Sequence, residues 1–391
     1  SSFCRNPCNY AISGDKYHCL AAGIIHSTDC NLVAATATTI EMCTMKTRVC
    51  RLYGKRDLRI ETEPVVPPGA SEVVIRVMRG GICGSDLHYF LDGGFGSVQV
   101  REPIIIGHEF AGYVEEVGSE VDHLSVGDRV GVNPSQPCGE CLFCRDNASQ
   151  HCLDMHFLGS AFFVPHEQGG FRERMTIQTK QCFRGGSHID YSELACAEPL
   201  AVCLHAARQS GELRGKRVLV NGAGPIGALC VAVARYRGAE EIVVIDLFEK
   251  TLDVAMQMGA DYSVNLNVAS ARSELAKYQK HKGYFDLVFE CSAAQAAIEN
   301  VFNLVRPQGK IIQVGVTGKL IIPLNLLVAK EVEWGGSQRF HEEYEAAIEL
   351  ISQGLIDVRP ILTDVFPLDE VRKAIERATD RSRSVKVQIS F

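Results

Sequence analysis

The stretch RVLVNGAGPIGALCVAVARYRGAEEIVVID, residues 217–246, decides the fold. An apolar strand pattern runs into three closely spaced glycines, which open a helix pattern that leads to a second strand. Glycines at such a turn let a pyrophosphate approach the backbone and rest on the free amides at the helix start. The alternative is a tight turn that binds nothing, because strand-to-helix turns need glycine anyway. The residues of the predicted dinucleotide turn are Gly222, Gly224, Pro225, Ile226 and Gly227.

The acidic residue that ends the second strand indicates which cofactor the turn would bind. Asp246 lies where a carboxylate can accept hydrogen bonds from a hydroxyl group of the adenine ribose. The same charge would repel a 2′-phosphate. The sequence therefore predicts NAD rather than NADP.

Strand and helix patterns alternate beyond this turn, whereas the part of the chain before it is rich in short strands. The alternation continues through FDLVFECS (residues 285–292) and GKIIQVG (residues 309–315), which is typical of a doubly wound parallel sheet. From Val49 onward, apolar or alternating runs such as SEVVIRVMRGGICG (residues 71–84) lie between glycine and proline breaks. We therefore predict an α/β protein with a barrel-like β-rich domain and a sheet domain.

Composition and charge narrow the class of protein. The chain has 391 residues, and 46% of them are hydrophobic, which favours a globular protein. Its net charge is −7, and it has no long run of lysine or arginine. This charge pattern excludes a surface built for nucleic acid or an anionic membrane. Sixteen cysteines without a recognisable signal sequence predict a reducing, cytoplasmic location. No apolar stretch reaches the ~20 residues that span a bilayer. Residues 1–45 are expected to be a disordered or non-native extension without a function.

Four cysteines are concentrated in CGECLFCRDNASQHC, residues 138–152. Their spacing lets one loop wrap four thiolates around a tetrahedral ion. A shell closed by four cysteines leaves no position for a substrate, so the pattern favours a structural zinc. Disulfides, which a reducing compartment disfavours, and an iron–sulfur cluster are the alternatives. The predicted ligands are Cys138, Cys141, Cys144 and Cys152.

A reaction centre must therefore lie elsewhere in the chain. Cys83 lies in the glycine-flanked stretch GGICGSDLHYF, His108 and Glu109 lie between a strand end and a hairpin, and Glu198 precedes the sheet domain. Each has an ordinary explanation, because cysteine is a common small core residue and a single histidine is more often structural than a ligand. Spacing alone cannot join residues so far apart into one metal site.

Several motifs in one order identify a family resemblance. From about residue 46 to residue 391, the chain resembles the zinc-dependent medium-chain alcohol and polyol dehydrogenases. The motifs are GICGSDLHYF, IIGHEFAGYVEEVG, GDRVGVNPSQPCGECLFCRDNASQHC, AEPLAVCLHA and GAGPIG. The resemblance implies a GroES-like β-rich catalytic domain formed by residues 46–200 and 338–391, and a Rossmann-type NAD-binding domain formed by residues 201–337.

The resemblance also implies a second, catalytic zinc. Its ligands would be Cys83, His108 and Glu109, with one position left for water or substrate. Glu198 would lie beside this metal or exchange with a ligand, as an acid of the catalytic site. Asp86 would orient His108, as metal-bound histidines usually require.

Other family positions imply how a substrate is handled. Ser85 and His88 match the relay that carries the substrate proton outward. Arg339 matches the position where polyol dehydrogenases place an arginine close to substrate and cofactor. A guanidinium suits a carboxylate, and Arg172 and Arg174 are further candidates, although a solvated strand edge would also explain those two.

Within the family, FLGSAFFVPHEQGGFRERM (residues 157–175) is most similar to enzymes that act on the sugar acid L-idonate, close relatives of sorbitol dehydrogenase. The expected activity is NAD-dependent interconversion of L-idonate and 5-keto-D-gluconate by a homodimer or homotetramer. Oxidation of sorbitol, xylitol or threonine, and a non-catalytic cofactor-binding relative, are the alternatives. The chain departs from the family at two places. Residues 1–45 have no counterpart in it. Thr251 occupies a position where a basic residue is usual, so Lys250, one place earlier, is the predicted cofactor contact.

Overall fold

The computed structural model describes residues 45–316 and 318–391, so the predicted extension of residues 1–45 lies, apart from Met45, outside the described residues. In the part of the chain that is described, no helix combines the length and the apolar character needed to cross a membrane. The chain runs first through short strands, then through alternating strands and helices, and at its end returns to the first set of strands.

The first half of the described chain consists mainly of short strands joined by turns, as its glycine- and proline-broken apolar runs predict. These strands are β1 (Lys46–Gly54), β2 (Asp57–Pro64), β3 (Glu72–Gly81), β4 (Gly94–Phe95), β5 (Val98–Gln99), β6 (Ile104–Ile105), β7 (Glu109–Val117), β8 (Arg129–Val132), β9 (Ser135–Gln136), β10 (His156–Phe157), β11 (Arg174–Gln178) and β12 (Cys182–Arg184). The helices here are α1 (Gly84–Asp92), α2 (Leu142–Arg145), α3 (Tyr191–Leu194) and α4 (Ala197–Ser210), with 3₁₀ turns at Ser149–His151 and Thr179–Gln181.

A six-stranded parallel sheet follows. Its strands are β13 (Arg217–Asn221), β14 (Glu241–Asp246), β15 (Tyr262–Asn265), β16 (Phe285–Glu290), β17 (Val305–Gln313) and β18 (Glu333–Gly336). They lie in the order β15-β14-β13-β16-β17-β18, so the chain starts in the middle and winds outward in both directions, which is the predicted doubly wound arrangement. The accompanying helices are α5 (Pro225–Tyr236), α6 (Glu249–Gln257), α7 (Ala271–Ala276), α8 (Gln295–Leu304) and α9 (Leu324–Lys330), with a 3₁₀ segment at Lys277–Lys282.

The C-terminal elements rejoin the first strands. They are α10 (Glu343–Ser352), β19 (Leu362–Pro367), α11 (Val371–Thr379) and β20 (Lys386–Ser390), with 3₁₀ turns at Arg359–Ile361 and Leu368–Glu370. Strand β20 pairs with β3 and completes a seven-stranded sheet in the order β12-β8-β7-β3-β20-β19, with β11 also paired to β3. Pairing does not define the residue at which the chain passes between domains, so the boundaries 46–200, 201–337 and 338–391 stay predictions.

The turn between β13 and α5 requires glycine at two positions. Gly222 has a φ of +95°, in the left-handed region that disfavours side chains. A Cβ atom at Gly227 would lie 1.8 Å from the carbonyl oxygen of Gly222. Pro225 begins α5, where its missing N–H is harmless because first-turn amides have no partner within the helix. The two glycines and the proline therefore keep this turn tight and leave its backbone free of side chains.

Ala293, in the segment between β16 and α8, has a φ of +53°, a left-handed conformation that is unfavourable by about 1–2 kcal/mol for a residue with a Cβ atom. We expect Ala293→Gly to raise the free energy of unfolding by about 0.5–1 kcal/mol, because relief of strain outweighs the extra freedom of glycine in the unfolded chain. Urea unfolding followed by circular dichroism measures the change. Ala296→Gly, at an exposed position of α8, is the matched control and should lower stability. A decrease in both variants would contradict this interpretation.

Candidate active site and metal centres

Three side chains that are distant in the sequence converge in the β-rich domain. The sulfur of Cys83, a ring nitrogen of His108 and a carboxylate oxygen of Glu109 lie within 4.8 Å of one another. Cys83 is the N-cap of α1, and His108 directly precedes Glu109, the first residue of β7. Thiolate, imidazole and carboxylate are donors that zinc takes, and three protein ligands leave a fourth position open. The donor set and its spacing therefore fit a zinc ion with one free position.

Asp86 organises the backbone around this cluster. Its buried carboxylate accepts hydrogen bonds from the amide of Cys83 at 2.9 Å and from the amide of Gly107 at 3.1 Å. Nδ1 of His108 is 3.9 Å from Oδ1 of Asp86, too far for a direct hydrogen bond. Burial raises the pKa of Asp86, while His108 and the two amides oppose the rise. Asp86 thus fixes the backbone on both sides of the cluster, and direct orientation of the His108 ring stays a prediction.

Lys386, which the sequence analysis missed, holds Glu109 from strand β20. Its Nζ lies 2.9 and 2.7 Å from the two carboxylate oxygens of Glu109 and donates to the carbonyl of Ile82 at 3.2 Å. Both charged side chains are almost completely buried. Burial lowers the pKa of Lys386, but the charges of Glu109 and Cys83 more than offset this and raise it. The available signal was a lysine in an apolar strand, because buried lysines are nearly always paired.

Glu198 is buried near the same cluster, in the first turn of α4. Burial raises the pKa of Glu198 to about 8; His108 opposes the rise, and Glu109 and Cys83 add to it. Its carboxylate is not among the three donor atoms that lie within 4.8 Å of one another. The structure therefore places Glu198 beside the cluster, and its role as an acid or exchanging ligand stays a prediction.

The two residues of the predicted relay lie on α1, one turn apart. Ser85 is partly buried, and its backbone amide faces the sulfur of Cys83. His88 is exposed, and its Nδ1 lies 3.0 Å from Oδ2 of Asp92. Across the described residues, no hydrogen bond connects Ser85 with His88. A proton could pass between them only through a bridging group, such as a cofactor hydroxyl or water.

Arg339 is stacked beside the donor cluster. Its guanidinium carbon lies 4.1 Å from the centre of the Phe157 ring, and that ring lies 5.5 Å from the ring of His108. Burial lowers the pKa of Arg339, and Glu198 partly offsets this. In residues 45–316 and 318–391, no carboxylate forms a hydrogen bond or ion pair with this guanidinium. Arg339 therefore has no hydrogen-bonded carboxylate partner among the described residues, although the charge of Glu198 acts on it.

The other two arginines considered for substrate binding are engaged elsewhere. Arg172 donates to the carbonyl of Gly169 at 3.0 Å and to Glu63 at 3.3 Å, and little of its side chain is exposed. Arg174 pairs with Glu115 at 2.7 and 3.1 Å. The suggestion that either reads a substrate carboxylate is wrong, because their donors already serve contacts within the β-rich domain. A solvated strand edge does not describe Arg172 either.

The four clustered cysteines face one another across a small space. Their sulfur atoms are separated by 3.4 Å (Cys138 and Cys152), 3.6 Å (Cys141 and Cys144), 3.9 Å (Cys141 and Cys152) and 4.0 Å (Cys138 and Cys144). Four sulfurs around one tetrahedral zinc would be about 3.8 Å apart. Backbone amides, that of Leu153 first, lower the pKa of Cys141 to about 6, which favours the thiolate that a metal requires. The spacing fits one metal ion and leaves too little room for a multi-iron cluster.

Asp246 lies against the glycine turn, where the sequence predicts a ribose contact. Its carboxylate accepts a hydrogen bond from the amide of Ala223 at 2.6 Å. Lys250 lies in the first turn of α6 and is partly exposed. Thr251 is buried, and its hydroxyl donates to the carbonyl of Phe248 at 2.8 Å. Lys250 rather than Thr251 is therefore available to a cofactor, and its contact stays a prediction.

Comparison with known proteins identifies the family. The model for the alcohol dehydrogenase GroES-like domain matches residues 69–186, and the model for zinc-binding dehydrogenases matches residues 225–353. The L-idonate 5-dehydrogenase (NAD(P)(+)) of Escherichia coli K12 is 37% identical over 348 residues, which cover 89% of this chain and 99% of that protein. The chain belongs to the zinc-binding dehydrogenase family. The predicted enzyme class and the predicted pairing of GroES-like and Rossmann-type folds are confirmed.

Further relatives of this zinc-binding dehydrogenase carry similar names. A sorbitol dehydrogenase of Bacillus subtilis is 34% identical and covers 86% of this chain and 95% of its own length. The crystal structure of Escherichia coli L-idonate 5-dehydrogenase superposes with a TM-score of 0.83 at 36% identity, over 89% of this chain and 99% of that one. Relatives named for L-idonate and for sorbitol are thus similar to this chain to nearly the same degree.

The pairing of Glu109 with Lys386 allows the ligand role of Glu109 to be separated from its structural role. Glu109→Gln should bind one zinc ion fewer per chain and lose about 3–5 kcal/mol of stability, because Lys386 stays buried without its carboxylate. The double variant Glu109→Gln/Lys386→Met removes both charges and should regain most of that stability without regaining the metal. Zinc content by mass spectrometry and urea unfolding measure the two effects.

The control for this comparison is Glu116→Gln, at an exposed position of β7, which should change neither quantity. If the double variant keeps the zinc content of the parent chain, Glu109 is not a ligand.

Proposed function

We propose that this zinc-binding dehydrogenase is an L-idonate 5-dehydrogenase that uses NAD to interconvert L-idonate and 5-keto-D-gluconate. One observation carries the proposal: the partly buried guanidinium of Arg339 lies beside the donor cluster and, within the described residues, has no carboxylate partner. A sugar acid brings the missing carboxylate, which a guanidinium binds in bidentate fashion. A neutral polyol can offer this guanidinium only hydroxyl groups, which form weaker hydrogen bonds with it than a carboxylate does.

The placement of Phe157 suits a substrate whose acid group lies several carbon atoms from the reacting hydroxyl. The centre of this ring lies 4.1 Å from the guanidinium carbon of Arg339 and 5.5 Å from the centre of the His108 ring. In L-idonate the C1 carboxylate is four bonds along the carbon chain from C5. A six-carbon acid held by its carboxylate at Arg339 would therefore extend its C5 end away from the guanidinium, toward the neighbouring donor cluster.

Metal ions and a cofactor would complete the proposed site. Cys83, His108 and Glu109 would hold a zinc ion, which supplies Lewis acidity that lowers the pKa of an alcohol. The glycine turn and Asp246 would hold NAD, which accepts the hydride from C5. Oxidation of the alcohol at C5 to a ketone would transfer a hydride to this cofactor and release one proton. The four clustered cysteines would hold a second, structural zinc.

The chain's own residues manage that proton and orient the substrate. Ser85, partly buried on α1, would accept the hydroxyl proton while its own proton passes to a bridging hydroxyl or water, and the exposed His88 could then deliver a proton to solvent. Arg339 fixes the acid end of the substrate. Asp86 and Lys386 keep the backbone of Cys83 and the carboxylate of Glu109 in place through the hydrogen bonds described above.

NAD is proposed over NADP because the carboxylate of Asp246, which accepts a hydrogen bond from the glycine turn, would repel a 2′-phosphate on a ribose bound beside it. The Escherichia coli relative is named for both cofactors, so this preference concerns the present chain alone. A cytoplasmic location and a homodimer or homotetramer also remain proposals, based on the sequence. The alternative activity is oxidation of sorbitol or xylitol, which the 34% identity with a sorbitol dehydrogenase favours.

An assay of purified enzyme with L-idonate, sorbitol and xylitol, each with NAD and NADP, tests the proposal. We expect the highest kcat/KM with L-idonate and NAD. Arg339→Ala should raise KM for L-idonate by about 10- to 100-fold, because a hydrogen-bonded charge pair is lost, and should change KM for sorbitol by less than about threefold. Arg174→Ala, which removes an arginine paired within the sheet, is the control. Equal losses with both substrates would show that Arg339 does not bind the carboxylate.

A further inference from the structure

The cysteine loop, defined as residues 137–155, connects two strands that pair next to the candidate site. Strands β9 and β10 are antiparallel, with Ser135 opposite Phe157. The two ends of the loop are tied together, since the amide of Cys138 donates to the sulfur of Cys152 at 3.2 Å. The loop therefore leaves and returns through one short hairpin, and the last residue of that hairpin, Phe157, is the ring on which Arg339 is stacked.

The same loop also contacts the chain just beyond Arg339. Nδ1 of His341 lies 2.6 Å from the hydroxyl of Ser149, and Nε2 of His341 lies 3.0 Å from Oδ1 of Asn147. One neutral tautomer satisfies both contacts: Nε2–H donates to Asn147, and Nδ1 accepts from Ser149. The side chain of His341 is only 9% exposed, and its Nε2 also lies 3.3 Å from Oε1 of Glu342.

The segment that carries Arg339 has little backbone support of its own. The amide of Ser337 donates to the carbonyl of Gln313 at 3.0 Å, and the amide of His341 donates to Glu343 at 2.7 Å. Between these anchors, residues 338–340 donate no backbone hydrogen bond to any residue that the structure describes. Arg339 itself has a φ of +47°, a conformation that is unfavourable by about 1–2 kcal/mol without glycine. Contacts from outside the segment must hold this conformation.

We propose that the cysteine loop is the positioning element for Arg339, and that His341 is the positioning residue through which it acts. Phe157 supports the guanidinium from one end of the loop, while Ser149 and Asn147 hold His341 from its middle. The loop thereby fixes the direction in which Arg339 enters the cleft. This inference rests on the proposed function only in assigning Arg339 to the substrate. The cysteine loop would then contribute to substrate binding as well as to the stability of its own fold.

A double-mutant cycle between His341 and Arg339 tests this coupling. His341→Ala in the full-length enzyme should raise KM for the substrate by about 3- to 10-fold, the loss of one or two hydrogen bonds, with kcat, the dissociation constant for NADH and the zinc content unchanged. In an Arg339→Ala background the same substitution should have no further effect, because the residue on which it acts is gone. His341→Gln, which can still donate to Asn147, should recover part of the affinity. His123→Ala, at an exposed position away from the loop, is the matched control.

The outcomes separate this inference from the assignment of the substrate. The assay of the parent enzyme with several substrates identifies the one with the highest kcat/KM. The double-mutant cycle is then measured with that substrate. The cycle can therefore be interpreted even if L-idonate is not a substrate. An unchanged KM in His341→Ala would overturn the inference. So would an equal increase with and without Arg339, or a parallel loss of zinc, since His341 would then support the loop itself rather than the arginine.

Discussion

The register of β3 between its two neighbours fixes the centre of the candidate site. Gly81, the last residue of β3, lies opposite Glu109 on β7 and opposite Gln388 on β20. A Cβ atom at position 81 would lie 2.2 Å from Oε2 of Glu109, so this position has no room for a side chain. The free space lets the Glu109 carboxylate extend across β3 to Lys386 on β20. A shift of one residue would turn these side chains to opposite faces and separate the ion pair.

Charge balance explains why the buried cluster suits a divalent cation. Without a metal, the acidic groups outnumber the bases, and burial with neighbouring acids raises the pKa of Cys83 to about 11 and that of Glu198 to about 8. Two additional positive charges would allow all four acidic groups to ionise in a neutral cluster, which is what a low-dielectric site requires. The groups in this balance are Cys83, Asp86, Glu109 and Glu198 as acids, and Lys386 and Arg339 as bases.

What the sequence could predict depended on how far apart the interacting residues are. The glycine turn and the four clustered cysteines are local, so spacing alone indicated their geometry. Cys83 follows the end of β3 and His108 precedes β7, so the two residues meet through the pairing of these strands, in which Gly81 lies opposite Glu109. Their grouping came from family resemblance rather than from spacing. Lys386 was missed because its contact with Glu109 depends on a strand from the far end of the chain. Arg172 was misjudged because its partner lies on β2, whose position no local pattern revealed.

Residues 157–175 form the motif that linked the sequence to enzymes of L-idonate. In the structure, hydrogen bonds from this motif mainly hold a neighbouring segment of the β-rich domain in place. Nε2 of His166 accepts a hydrogen bond from the amide of Arg101 at 2.9 Å, and Oε1 of Gln168 accepts one from the amide of Ile105 at 2.8 Å. These hydrogen bonds hold the motif against the segment that leads to His108. Such an arrangement can serve a neutral polyol as well as an acid. Similarity in this motif therefore supports a shared scaffold more than a shared substrate. The case for a sugar acid rests instead on Arg339, because no carboxylate of the described residues forms a hydrogen bond or ion pair with its guanidinium, and a substrate carboxylate could do so.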